Sequence, residues 1–367
     1  MVMKNKLKIA IVGLGLIGGS LGLALVRAGY TVSGWDQDSE TINEAYRSGA
    51  INYLPTSFKD AIIMASVVFI ATPVDTIPAT IESCLPYARS GTIFSDLGSI
   101  KKSVLEGVFN LLPPSYHFVG GHPMTGSEQH GIRAADPFLF QNAAYIIIED
   151  PRTPDEAGAL IMKLVESVGA QIIRLSAAEH DRIVAMVSHL PHLIAATLAK
   201  TVGDVEAAHP GTLNLAAGGF RDTTRIAIGS PKLWHGIIFG NLAQVLTAID
   251  TFQNELNYLK ELLTSGAKLQ FKRFLEEARE TRLQAPAKNK GFLSLLHEMV
   301  VTIEDRPGTI VEVLKYLAEA GLNIKDIEIL RVREGSGGTL RLALESDNAV
   351  DQGVKVLEMH GFKVKKR

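Results

Sequence analysis

Gly13, Gly15 and Gly18 stand at G-x-G-x-x-G spacing in the stretch KIAIVGLGLIGGS, residues 8–20. That spacing suits a pyrophosphate. Gly13 permits a tight turn, Gly15 leaves the backbone bare for a phosphate, and Gly18 lets the next helix lie close to the sheet. Leu14, Leu16 and Ile17 belong to the same turn, where helix-start N–H groups and the helix dipole favour an anion. Eighteen residues past Gly18, Asp36 places a carboxylate where a dinucleotide ribose offers its hydroxyls. Asp36 would repel a 2′-phosphate, and no arginine directly follows it, so the expected cofactor is NAD. A glycine-rich turn without a ligand is the plain alternative, and Asp36 argues against it. Farther along, Ser188-His189-Leu190-Pro191-His192 has helical character. Ser188 and His192 share a face, while Pro191 cannot donate to the Val187 carbonyl and so breaks the helix beside two histidines. Gly218–Arg225 (GGFRDTTR) brings Arg221 and Arg225, whose planar forks bind carboxylates. Taken singly, His189 reads as a structural histidine and Arg221 as an ion-pair partner. His189 and His192 have H-x-x-H spacing but no third ligand in view, so no metal is expected.

The elements that must position these groups follow from apolar patterning. Buried parallel strands are expected at 9–12, 31–35, 67–71 and 92–96, with helices at about 17–28 and 39–48. In an open α/β sheet the carboxyl ends of strands line the ligand crevice. Thr72, Pro73 and Val74 follow one strand, and Asp96-Leu97-Gly98-Ser99 closes another. Pro73 alone reads as a turn residue; Ser99 reads as functional because of its place beside the crevice. Strands at 117–119, 143–149 and 170–175, with a helix over 154–168, extend the pattern to a mostly parallel, doubly wound sheet. Ser176 and Glu179 form a capping box. From there to about residue 274 only helices are expected, with apolar stretches at 190–198 and 237–249 suited to packing against a second subunit. The charged segment 272–290, which contains Pro286, reads as a linker. Residues 296–367 follow the order βαββαβ of a ferredoxin-like sandwich. The fold class is therefore α/β: a Rossmann-type dinucleotide-binding domain at 1–175, an all-α dimerisation domain at 176–285 and a ferredoxin-like domain at 296–367.

The 367-residue chain carries a formal net charge of -2 and no basic block beyond its last five residues, which argues against a nucleic-acid partner. Cys84 is the only cysteine, which excludes an intrachain disulfide and a cysteine-built metal site. Six residues ahead of the first strand are too few for a signal peptide. No uninterrupted apolar run reaches membrane-spanning length. A cytoplasmic homodimer is expected.

On the motifs DLGSIK (96–101), GHPMTGSE (121–128), SHLPH (188–192) and GGFRDTTR (218–225), together with the glycine turn, the chain resembles prephenate dehydrogenases of the monofunctional bacterial type. DRPG (305–308) followed by Asn323-Ile324 resembles the C-terminal ACT domain of that type. The resemblance implies NAD-dependent oxidative decarboxylation of prephenate to 4-hydroxyphenylpyruvate, a tyrosine precursor. It makes His122 the acceptor of the hydroxyl proton, a task suited to neutral imidazole. Ser99 would hydrogen-bond the same hydroxyl or orient His122. Arg225 would bind a substrate carboxylate with Arg221 nearby, Ser188, His189 and His192 would contact the substrate, and Glu128 would gate the pocket. The ACT resemblance implies a tyrosine effector near Asp305, Pro307, Gly308, Asn323 and Ile324. The alternatives are an arogenate or cyclohexadienyl dehydrogenase, a 3-hydroxyacid dehydrogenase, and a non-catalytic sensor of NAD and amino acids. Lys200 followed by Asp204 lacks the context of the 3-hydroxyacid enzymes. The presence of His122, Ser99 and Arg225 speaks against the sensor.

Overall fold

The computed structural model describes residues 7–126, 129–284, 297–304, 306–330 and 338–366. They form two compact units, one within Met1–Phe292 and one within Leu293–Arg367.

The first unit begins with five parallel strands: β1 (Lys8–Val12), β2 (Thr31–Trp35), β3 (Val67–Ile70), β4 (Ile93–Asp96) and β5 (His117–Val119), in the spatial order β2-β1-β3-β4-β5. Strands β3 and β4 are buried at every residue, as expected for strands covered on both faces. Alternate side chains feed two cores. Ile9, Ile11, Val67 and Phe69 pack with Leu21 and Leu25 of the helix Leu16–Arg27. Ala10, Val12, Val68 and Ile70 pack with Ile77, Ile81 and Val104 on the other side. Val12 pairs with Trp35 and with Ile70, and Ile70 pairs with Asp96. That register brings the ends of β1 to β4 to one edge, where the glycine turn, Asp36, Thr72 and Ser99 all follow.

The expected single doubly wound sheet divides at Gly120. Beyond it, β6 (Gly121–Pro123), β7 (Ala144–Ile148) and β8 (Gln171–Leu175) make a separate three-stranded sheet, with β6 antiparallel to β7 and β7 parallel to β8. The two glycines make the crossing possible. A Cβ on Gly121 would lie 2.8 Å from the Asp96 carbonyl oxygen and 2.9 Å from the Tyr145 hydroxyl, and one on Gly120 would sit 3.1 Å from Ile148 and Leu105.

The Ser176–Glu179 capping box is present and opens the helix Ala177–Val184. A π-helical turn, Ala185–His189, joins it to the helix Leu190–Ala208. Pro191 accounts for the widened turn, because it offers no N–H to the preceding ladder and its ring crowds it. The whole run Ala177–Ala208 is, among the described residues, one helix long and apolar enough by composition to cross a membrane, an exception to the expectation from uninterrupted runs. It carries His180, Asp181 and His189, all buried within this unit, while Ile183, Met186 and Val187 on the same run are exposed. Four more helices follow, Gly218–Thr224, Pro231–Gly240, Leu242–Thr264 and Lys268–Gln284. The last of these corrects the linker expectation for residues 272–284; residues 285–290 lie outside the described set. Its charge reflects an exposed helix, with no buried residue, built from strong helix formers and an i,i+4 pair of Lys272 with Glu276.

The second unit has the expected βαββαβ order: β9 (His297–Ile303), helix Thr309–Glu319, β10 (Asp326–Leu330), β11 (Gly338–Leu344), helix Asp347–Met359 and β12 (Lys363–Lys366). Its antiparallel sheet runs β10-β11-β9-β12. Arg341 ties three strands together, reaching Glu298 on β9 and Asp326 and Glu328 on β10, the last two at 2.8 Å. Asp305 and residues 331–337, between β10 and β11, lie outside the described residues.

Candidate active site

The glycine turn behaves residue by residue as its spacing requires. Gly13 has φ +94°, and a Cβ there would come within 2.6 Å of the Ala71 carbonyl oxygen. A Cβ on Gly18 would approach the Gly13 carbonyl oxygen to 1.9 Å, so close packing of helix on turn excludes one. Gly15 faces open space, with nothing within 4 Å of its would-be Cβ. No side chain caps the helix Leu16–Arg27. Asp36 braces the turn: its Oδ2 accepts the Leu14 N–H at 2.8 Å and its Oδ1 the Asp38 N–H at 3.1 Å. A bare Gly15 beside an uncapped helix start and an acid at the end of β2 fits a dinucleotide.

A cavity of about 880 Å³ opens from this turn. Its wall includes Gly15, Leu16 and Ile17 of the turn, Thr72, Pro73 and Val74 after β3, Ser99 and His122, and Ser188, His189 and Arg225 of the helical part. Gly13, Leu14, Gly18 and Asp36 lie behind that lining, and two predicted substrate residues, His192 and Arg221, are not part of it either. His192 stacks on Trp234 with ring centroids 3.6 Å apart and planes 10° from parallel, and Trp234 faces the cavity. Arg221 is exposed on the helix Gly218–Thr224. Glu128 lies outside the described residues. In the second unit Gly308, with φ +93°, caps the helix Thr309–Glu319, next to exposed Pro307. Asn323 and Ile324 precede β10.

His122 sits on β6, the short strand just past the crossing between the sheets. Its backbone is fixed by a buried ion pair of Asp96 and Lys101. Asp96 accepts the Gly121 N–H at 3.1 Å and the Gly98 N–H at 3.0 Å, while Lys101 Nζ donates to the Gly121 carbonyl at 2.6 Å. One pair thus holds the residue ahead of Ser99 and the residue ahead of His122. The ring of His122 is held from a helix beyond the two sheets. Its Nδ1 lies 2.8 Å from His180 Nε2, and His180 Nδ1 lies 2.7 Å from Asp181 Oδ1. No hydrogen bond joins Ser99 to His122 among the described residues, so His180, and not Ser99, orients the imidazole. Asn241 Nδ2 donates to the Asp181 carbonyl at 2.8 Å and lies 3.4 Å from His189 Nδ1. Burial, and then the neighbouring His180, Lys101 and His189, hold His122 well below the usual histidine range. Burial pushes His189 down to about 4. Both rings are neutral at pH 7, which suits proton acceptance.

His180, Asp181 and Asn241 are the functional neighbours that sequence reasoning missed. The capping box located the helix that carries His180 and Asp181, but nothing local links His180 to His122, 58 positions away in the chain.

Comparison with known proteins agrees with this geometry. The family model for the prephenate dehydrogenase nucleotide-binding domain matches residues 21–174, that for the prephenate dehydrogenase dimerization domain residues 176–277, and that for the ACT domain residues 297–358. A prephenate dehydrogenase of Bacillus subtilis is 34% identical over 352 residues, 94% of either chain. Among solved structures, prephenate dehydrogenase from Aquifex aeolicus in complex with hydroxyphenyl propionate and NAD+ has a TM-score of 0.71 at 30% identity, covering 76% of this chain and 98% of that one. Synechocystis arogenate dehydrogenase has a TM-score of 0.67 at 29% identity, covering 76% and 100%. With a dinucleotide turn, a buried neutral histidine and an arginine on one cavity, and with three family models in register along its length, the chain belongs to the prephenate dehydrogenase family.

Proposed function

We propose that this chain oxidises and decarboxylates prephenate with NAD, His122 taking the hydroxyl proton of the substrate. Bound NAD supplies the hydride acceptor. The ring carbinol carbon gives up hydride, the ring carboxylate leaves as carbon dioxide, and 4-hydroxyphenylpyruvate results. The observation that carries this reading is the single cavity whose wall includes Gly15, His122 and Arg225. Gly13, Leu14, Gly15, Leu16, Ile17 and Gly18 with Asp36, Thr72, Pro73 and Val74 hold the cofactor. Ser99 hydrogen-bonds the reacting hydroxyl. The Arg225 guanidinium takes a substrate carboxylate, with Ser188 and His189 beside it, Arg221 in support, and His192 acting through Trp234. Glu128 gates the pocket. Aromatisation drives the reaction, so the protein mainly positions the reactants.

The domains run 1–175, 176–285 and 296–367. Residues 176–285 pair two subunits. The match to a dimerization-domain model and the exposure of Leu215 (85%), Ile228 (73%) and Leu269 (74%) support that reading. The C-terminal unit binds tyrosine around Asp305, Pro307, Gly308, Asn323 and Ile324, and inhibition is end-product feedback in a cytoplasmic biosynthetic enzyme.

The test is NADH formation with prephenate, then with arogenate, each with and without tyrosine. Turnover of prephenate, depressed by tyrosine, is expected. Turnover of arogenate alone would move the substrate to the amine-bearing analogue, a reading that the likeness to Synechocystis arogenate dehydrogenase keeps in play. Turnover of neither, with NAD still bound, would overturn the enzyme reading.

A further inference from the structure

We propose that His180 and Asp181 select the tautomer of His122, placing its proton on Nδ1 and leaving Nε2 as the base that faces the substrate. The inference rests on the reading of His122 as the proton acceptor and extends it to two residues that do not line the cavity. The argument is one of donors and acceptors. Asp181 Oδ1 accepts the Lys101 N–H at 2.8 Å, and Oδ2 accepts the Lys102 N–H at 2.9 Å. A carboxylate bound this way only accepts, so His180 must donate to it from Nδ1. A neutral His180 then has only a lone pair on Nε2. His122 must therefore donate from Nδ1 across the 2.8 Å contact. What remains on His122 is the Nε2 lone pair. The second nitrogen of an imidazole takes its role from the bond the first one makes.

The chain of roles requires an ionised Asp181 and a neutral His180. Burial pushes Asp181 up, but the His180 ring and the two backbone amides outweigh it and hold the carboxyl below its ordinary range. Burial holds His180 below the usual histidine value despite the carboxylate beside it. The other charged or titratable neighbours are Lys101 and Asp96 behind the strand, His189 on the π turn and Tyr145 on β7. Were His180 protonated, both its nitrogens would donate. His122 would then accept at Nδ1 and carry its proton on Nε2, the wrong side for a base. In the forward step the substrate O–H bond breaks and its proton bonds to His122 Nε2. The oxygen's electron pair forms the carbonyl as the C–H pair leaves as hydride to NAD.

Long-range proton–nitrogen NMR on the full chain with nitrogen-labelled histidine reads the tautomer directly. The expected result is a protonated Nδ1 and a bare Nε2 on His122 near pH 7.5; a proton on Nε2 overturns the proposal. Asp181→Asn presents an amide that can donate to His180 Nδ1 and reverse every role in the chain. It should move the His122 proton to Nε2 and lower kcat by about 10²–10⁴-fold, with little change in KM for prephenate or in NAD affinity. Unchanged kcat and tautomer in Asp181→Asn, alongside an inactive His122→Asn, would sink this proposal and leave the base in place. Full activity in His122→Asn would sink the base itself. If Asp181→Asn does not fold, the NMR result on the unsubstituted chain still decides.

Discussion

His122→Asn keeps an orientable side chain but no basic ring nitrogen. Its turnover number should fall by about 10²–10⁴-fold while calorimetric NAD affinity holds. Arg225→Ala should act chiefly on KM for prephenate, because a carboxylate contact made equally in ground and transition states is uniform binding. The pH profile follows from burial. A histidine held below its ordinary range remains a neutral base in acid that would protonate an exposed one. Activity should therefore persist below pH 6.5 and be lost only as pH falls through the lowered value; an acidic limb centred at or above 6.5 would contradict it. Asp96→Ala strands the Lys101 ammonium, which is fully buried, and should cost about 3–5 kcal/mol of stability in denaturant melts. At this scale legibility was uneven. Gly13, Gly15, Gly18 and Asp36 announce themselves by spacing, since their tasks are local. Lys101 stood inside a recognised motif without a role, because its partners Asp96 and Gly121 meet only once two sheets are folded against one another.

At the scale of elements, the glycine turn offers a clean contrast. Gly15→Asp provides a good helix N-cap in open space and sets a carboxylate against the pyrophosphate. It should keep its melting temperature and lose NAD affinity by titration. Gly18→Ala must push the Gly13 carbonyl aside and should lose about 1–3 kcal/mol. The strands of the parallel sheet were legible because burial on both faces leaves continuous apolar runs, as in VVFI of β3. Strand β6 is three residues long, too short to show a period, so the division into two sheets and the antiparallel pairing with β7 could not be read. Residues 272–284 read as part of a linker because a helix with no buried residue shows no apolar face.

For the whole molecule, the cavity is lined by residues between 15 and 237, and the C-terminal unit has a separate core around Val301, Leu342 and Leu357. Catalysis and effector response should therefore separate by mutation. Gly308→Val forces a branched side chain into φ +93°. Its uninhibited turnover should match that of the parent, while inhibition by millimolar tyrosine weakens; a parallel loss of both in steady-state assays would argue against the division. The π-helical turn Ala185–His189 holds one more consequence. It carries Ser188 and His189 at its end and follows the helix that carries His180 and Asp181. Removing one of the residues 185–187 would turn Ser188 and His189 by about 100° relative to His180 and Asp181. A gain or loss of a single codon is thus enough to open or close this site, a short evolutionary step between a plain structural helix and one that serves a hydride-transfer enzyme from two directions.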